Sequence, residues 1–114
     1  MHEFAITESI LNIAIKHAAD ASAIKVTDIN LVLGELSGIV GDSVQFYWDI
    51  ISEDTLCANS RIHFTRVKAA FRCLNCQTEF PYEDELVPCP QCGSVDLKII
   101  SGEEFYIDSI EIEK

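Results

Sequence analysis

The chain has 114 residues, 48% of them apolar, and a formal net charge of −11. That length supports one modest core, and no apolar run approaches the roughly 20 residues of a membrane span. So acidic a surface argues against nucleic acid or an anionic bilayer, since phosphate affinity comes largely from Lys and Arg replacing condensed counterions. The start shows no basic presequence, so a cytoplasmic protein is expected.

Ile6, Ile10, Ile13, Ala14 and Ala18 recur at helical spacing, with Leu11 and Ile15 widening the stripe, and predict a first helix from about residue 4 to Ala19. His17 falls at its C-terminal end, where an imidazole suits the helix dipole as a surface residue. From Lys25 to Leu36, Ile29, Leu31 and Leu33 alternate against Asn30, Val32 and Gly34, the pattern of a strand with one buried face, ended by GELSG. Asp42 is placed to cap a second helix carrying Val44, Tyr47, Trp48 and Ile51 on one side, its aromatic residues forming core. A second strand is expected from Ser60 to Arg72, where the shift of parity between Ile62, Phe64 and Val67, Ala69, Phe71 suggests a bulge or twist. His63 alternates to the face opposite Ile62 and Phe64 and reads as exposed. The chain returns through Leu97, Ile99 and Ile100, then SGEE, then a terminal strand from Phe105 to Ile112.

Cys73 and Cys76 in CLNC, and Cys89 and Cys92 in CPQC, form two knuckles twelve residues apart. Two residues between thiolates let each turn point both sulfurs at one ion, and four thiolates close a tetrahedron around zinc. Gly93, directly after the second knuckle, supplies backbone freedom there. Two disulfides would need an oxidising compartment, and a packed core does not explain paired Cys-x-x-Cys units. Cys57 has no partner spacing and reads as a small buried hydrophobe. Between Phe71 and Asp96 the one basic residue, Arg72, stands against Glu79, Glu83, Asp84, Glu85 and Asp96. A loop this acidic repels nucleic acid.

The fold expected from these elements is α+β: two helices packed on a small, mainly antiparallel sheet, with an inserted zinc-ribbon lobe. Residues 1–72 with 97–114 would form the main domain and residues 73–96 the insert.

The first three residues are Met1, His2 and Glu3. A residue as large as His2 should block removal of Met1, leaving a free amine of pKa about 7.7–8.0 beside an imidazole of about 6.5, both readily deprotonated for coordination near neutral pH. With the neighbouring backbone amides they offer closely linked nitrogen donors, which suit square-planar Ni(II) or Cu(II) better than tetrahedral zinc.

The opening MHEFAITESI, the central GELSGIV, the pair CLNC and CPQC, and the closing SGEEFYIDSIEIE resemble, in that order and over almost the whole chain, the HypA/HybF family of hydrogenase-maturation nickel metallochaperones. The resemblance implies a nickel-binding α+β domain with a structural zinc domain, and delivery of Ni(II) to the large subunit of a [NiFe]-hydrogenase. It also implies the maturation GTPase HypB as partner and, for some members, a role with urease maturation proteins. By position it makes His2 a nickel ligand, Cys73, Cys76, Cys89 and Cys92 the zinc ligands, and Glu3 a neighbour that tunes partner contact or nickel transfer. The remaining nickel donor stays open among the Met1 amine, a backbone amide, Glu3 and Asp42.

Two other classes fit less of the sequence. A zinc-ribbon adaptor without nickel transfer leaves the MHE start unexplained. A zinc enzyme needs an open coordination position and a nearby general base, whereas all four knuckle positions are cysteine; the chain is therefore expected to be no enzyme.

Overall fold

A computed structural model describes residues 3–114. Helix α1 spans Glu3–Asp20 and buries Ile10, Leu11, Ala14 and Ala18 on one stripe. Strand β1 (Lys25–Gly34) follows, then α2 (Gly41–Ile51), β2 (Arg61–Val67), β3 (Ala70–Cys73), β4 (Glu79–Pro81), β5 (Leu97–Ser101) and β6 (Phe105–Glu113). Three strands form the main sheet in the order β2-β1-β6, and the other three form a second sheet in the order β4-β3-β5.

The fold is α+β with mainly antiparallel pairing, and the main sheet contains the one parallel pair among the described residues. β1 pairs with β6 antiparallel but with β2 parallel, Ile29 opposite Ile62 and Leu31 opposite Phe64. The parallel pairing follows from the crossover: β1 and β2 are joined through α2, which returns the chain to the same end of the sheet. Ile29, Leu31, Ile62 and the inward residues of β6 share one face, against which both helices bury Ile10, Leu11, Ala14, Val44 and Trp48. The opposite face is polar: Asp28 bonds to His63 at 2.6 Å and the Asn30 amide donates to Ser109 Oγ at 3.0 Å. His63 is thus an exposed strand residue, as expected, and its proximity holds the Asp28 carboxyl below the usual carboxylate range.

Trp48 is the largest fully buried side chain, and its indole N–H donates to Ser60 Oγ at 2.9 Å, so the polar end of the ring is satisfied inside the core. The Ser60 hydroxyl passes the bond on to the Cys57 carbonyl. Cys57 is fully buried and burial pushes its thiol up to about 11, which fits a small hydrophobe and an inert thiol.

Three expectations need correction. Ile13 does not join the helix's buried stripe but is 46% exposed beside β6. The aromatic cluster on α2 is core only in part, for Trp48 is buried while Phe46 is 62% exposed. The expected strand from Ser60 to Arg72 is two strands in two sheets, with a break at Lys68 and Ala69. Ala69 is buried, and its N–H leaves the ladder to donate to the Glu35 carboxylate at 2.8 Å.

That break is part of a junction between the sheets, where the loop after β1 touches both chain crossings. Gly34 N donates to the Glu104 carbonyl at 2.7 Å, and Leu36 N to the Gly102 carbonyl at 2.6 Å. Gly102 sits at φ +105°, and a Cβ there would lie 2.6 Å from Ala69 Cα. Both the backbone angle and the contact exclude a side chain. Gly102→Ala is therefore expected to lower stability by about 2–4 kcal/mol through strain and overpacking, read as a lower chemical-denaturation midpoint at unchanged slope. The molecule measures 56 × 25 × 16 Å with a radius of gyration of 17.9 Å, well above the ~13 Å of a compact chain of this length. The second sheet accordingly projects from the first.

Candidate metal centre

The two cysteine knuckles repeat one hydrogen-bond pattern. In the first, Cys73 N donates to the Thr78 carbonyl and Gln77 N to the Cys73 carbonyl, each at 2.9 Å. In the second, Cys89 N donates to the Ser94 carbonyl at 2.9 Å and Gly93 N to the Cys89 carbonyl at 2.8 Å. The fourth residue after each leading cysteine carries positive φ, +67° at Gln77 and +76° at Gly93. Glycine supplies that angle freely in the second knuckle, while Gln77 adopts it in the first.

The repeat brings all four Sγ atoms within 4.8 Å of one another. Cys73 and Cys92 Sγ are 3.5 Å apart, and Cys76 and Cys89 Sγ 3.7 Å. Neither distance is a disulfide, whose sulfurs lie about 2.05 Å apart. Both are close to the ~3.8 Å edge of a tetrahedron with metal–sulfur bonds of about 2.3 Å, the zinc–thiolate value. The donor set therefore fits a tetrathiolate zinc site, closed to substrate.

The surroundings favour the thiolate form at Cys76 and Cys92, whereas burial and the neighbouring sulfurs push the Cys73 thiol up. The Thr78 hydroxyl, 3.1 Å from Cys76 Sγ, and the Thr78 N–H lower that thiol to about 6. The Asn75 amide, 3.6 Å from Cys92 Sγ, helps hold Cys92 below the usual thiol range, and Gln91 N donates to Cys89 Sγ at 3.4 Å. Around the sulfurs the core is small: Phe71 and Phe80 are its buried non-cysteine side chains, with Leu36, Tyr82 and Leu97 packed alongside. Two rings are too little to hold the lobe's 3-stranded sheet without a staple. Leu36 reaches this cluster from the loop after β1, a contact with no signal in the periodicity.

His2 and Met1 lie outside the described residues. Glu3 opens α1 and is buried. Asp42 does not cap α2: the N-cap is Val40, without a side-chain cap, and Asp42 is exposed in the first turn. Beside the start of α1 lies a partly exposed aromatic surface, where Phe4 meets Tyr47 edge-on at 5.4 Å and Tyr47 meets Phe46 at 5.5 Å.

Residues 1–112 match the family model described as "Hydrogenase/urease nickel incorporation, metallochaperone, hypA". The chain belongs to the HypA family. Among curated relatives, the hydrogenase maturation factor HypA of Dehalococcoides mccartyi is 42% identical over 113 residues, covering 99% of this chain and 95% of that protein. The hydrogenase maturation factor HypA of Caldanaerobacter subterraneus is 38% identical, covering 99% and 100%. The solution structure of a HypA protein superposes with a TM-score of 0.74 at 22% identity, over 98% of this chain and 96% of that one. That of the Ni metallochaperone HypA from Helicobacter pylori gives 0.67 at 23% identity, over 99% and 98%. These likenesses agree on the α+β fold, and the HypA family's cargo is nickel. No helix among the described residues is long and apolar enough to cross a membrane.

Proposed function

We propose that this chain carries Ni(II) at its N-terminus, with His2 as a ligand, and hands it over during maturation of a [NiFe]-hydrogenase. The observation that supports this most is the extent of the family match: it begins at residue 1 and so includes the MHE tripeptide, where a generic zinc ribbon would match only around the cysteines. Nickel is cargo in this reading. The Met1 amine, the imidazole and the adjoining amides make a planar nitrogen set at a chain end, which reaches an acceptor without any opening of the fold. Glu3, buried at the start of α1, is next to the chelate in sequence and tunes partner contact or nickel transfer in this reading. Asp42, with no capping bond to keep it, stays among the candidate donors.

Zinc would be held by Cys73, Cys76, Cys89 and Cys92, where it supplies folding energy and no catalysis. Residues 1–72 with 97–114 act as the nickel-carrying domain and 73–96 as the zinc domain, which continues the second sheet begun by β3 and closed by β5. The receiving partners in this reading are a HypB-type GTPase and the hydrogenase large subunit, with urease maturation proteins as further clients, all in the cytoplasm. Exposed Phe4, Val40 and Phe46 give the nickel end an apolar surface suited to such docking.

The reading is tested by equilibrium titration of zinc-loaded protein with Ni(II), followed by absorption, which should saturate at one ion per chain. Failure to bind would leave a zinc-ribbon adaptor. Because planar nitrogen sites follow the Irving–Williams order, equimolar Cu(II) should displace Ni(II) from this site in vitro. Retention of Ni(II) against copper would show that the site is not a peptide-end chelate.

A further inference from the structure

The main sheet is unfinished along one edge. Among the described residues β6 pairs with β1 and with no other strand, so the backbone groups on its outer side face solvent over Phe105–Glu113. Next to that edge, α1 does not close over the sheet. An apolar groove of about 440 Å³ runs between Ile6, Ile10 and Ile13 of the helix and Phe105 and Ile107 of the strand. A second hollow of about 310 Å³ continues it past Ile13 towards His17 and Ile110. From Ile6 to His17 the groove follows about 16 Å of helix, the length of about five strand residues. A fourth strand, ~4.8 Å beyond β6, would set its inward side chains there. The other edge offers no such seat, since the hollow by β2 is lined by Gln45, Asp49, Asn59 and Arg61.

The charge along the edge selects the occupant. Glu103, Glu104, Asp108, Glu111 and Glu113 stand between residues 103 and 113, a stretch without Lys or Arg. Asp108, Glu111 and Glu113 are exposed on β6 itself. Pairing with a second copy would oppose two such rows on chains that each carry −11. We propose that β6 and the α1 groove form a docking site for an extended segment of a protein partner, in which aliphatic residues alternate with Lys or Arg. The segment adds as a fourth strand, its aliphatic side chains filling the groove and its cations facing the acidic row. This surface is independent of the nickel ligands and stands whether or not His2 binds metal.

The test uses the full zinc-loaded chain and a nine-residue peptide alternating valine and lysine, followed by backbone amide NMR shifts. Shifts are expected along β6 and on the Ile6–His17 face of α1, and not in the cysteine lobe. A valine–glutamate peptide should not bind. All valine N–H groups of a strand point to one edge and all lysine N–H groups to the other, so of two peptides methylated at every valine or every lysine amide, one should bind and the other should not. Ile13→Glu, at an exposed position outside the core, should weaken binding by about ten-fold or more. Equal binding of the methylated pair, loss of both, shifts confined to other surfaces, or no binding at millimolar peptide overturns the proposal. So do dilution-dependent β6 shifts without peptide, which would make a second copy the occupant.

Discussion

His2→Ala is expected to abolish stoichiometric nickel binding while zinc content and fold stay unchanged. His2 is the second residue of the sequence and the four cysteines lie on the projecting second lobe, so the proposed nickel and zinc ligands do not overlap. Loss of outer-shell partners alone commonly weakens metal affinity about 10–100-fold, and loss of a ligand ring should weaken Ni(II) by at least ~100-fold. A host relying on the variant should accumulate nickel-free, inactive hydrogenase that excess nickel in the medium partly restores, because mass action replaces a delivery step but not a catalytic one. An N-terminal tag should mimic the substitution by turning the Met1 amine into a peptide nitrogen. Unchanged nickel affinity with hydrogenase activity, in either the tagged protein or the variant, would place the nickel site elsewhere.

Cys73→Ser or Cys92→Ser should release zinc and disorder the second lobe while most of the helical signal persists. Both helices belong to the first core, and none of the residues packed around the sulfurs lies on them. Structural zinc contributes roughly 10–16 kcal/mol in small peptides at neutral pH, far more than Phe71 and Phe80 can supply by burial. Metal content by emission spectroscopy, with far-ultraviolet dichroism and amide shifts, separates local from global loss. Collapse of the helical signal together with the lobe would show that the two parts fold as one.

What could be read from the sequence divides along a physical line. The helix from Glu3, the strand from Lys25 and the helix over Val44 and Trp48 announce themselves because each buries one stripe against one core, and periodicity records that. The knuckles are legible because two short turns hold all four sulfurs. Features that depend on three-way encounters left no period to find. The switch of sheets at Ala69 needs Glu35 to accept its N–H, and Leu36 packs into the cysteine lobe from a distant loop. Ile13 satisfies the helical repeat yet lies open, because the sheet beneath it stops one strand short. Asp42 has a capping residue type but sits two residues past the N-cap Val40, inside a helix that Gly41 has already begun.

The second lobe also bears on the order in which the chain assembles. β6 must reach β1 across some eighty residues of sequence, and the run from Val67 to Phe105 lies in between. Once β3 and β5 pair, Ala70 stands opposite Ser101, and that run becomes a short crossing with its ends already together. Metal capture by the knuckles would thus act as a splint on the last strand, prepaying loop-closure entropy that a long open connection would meet only at the moment of docking. Zinc supply during synthesis would then govern how quickly the carrier's central sheet is finished, ahead of any encounter with its cargo.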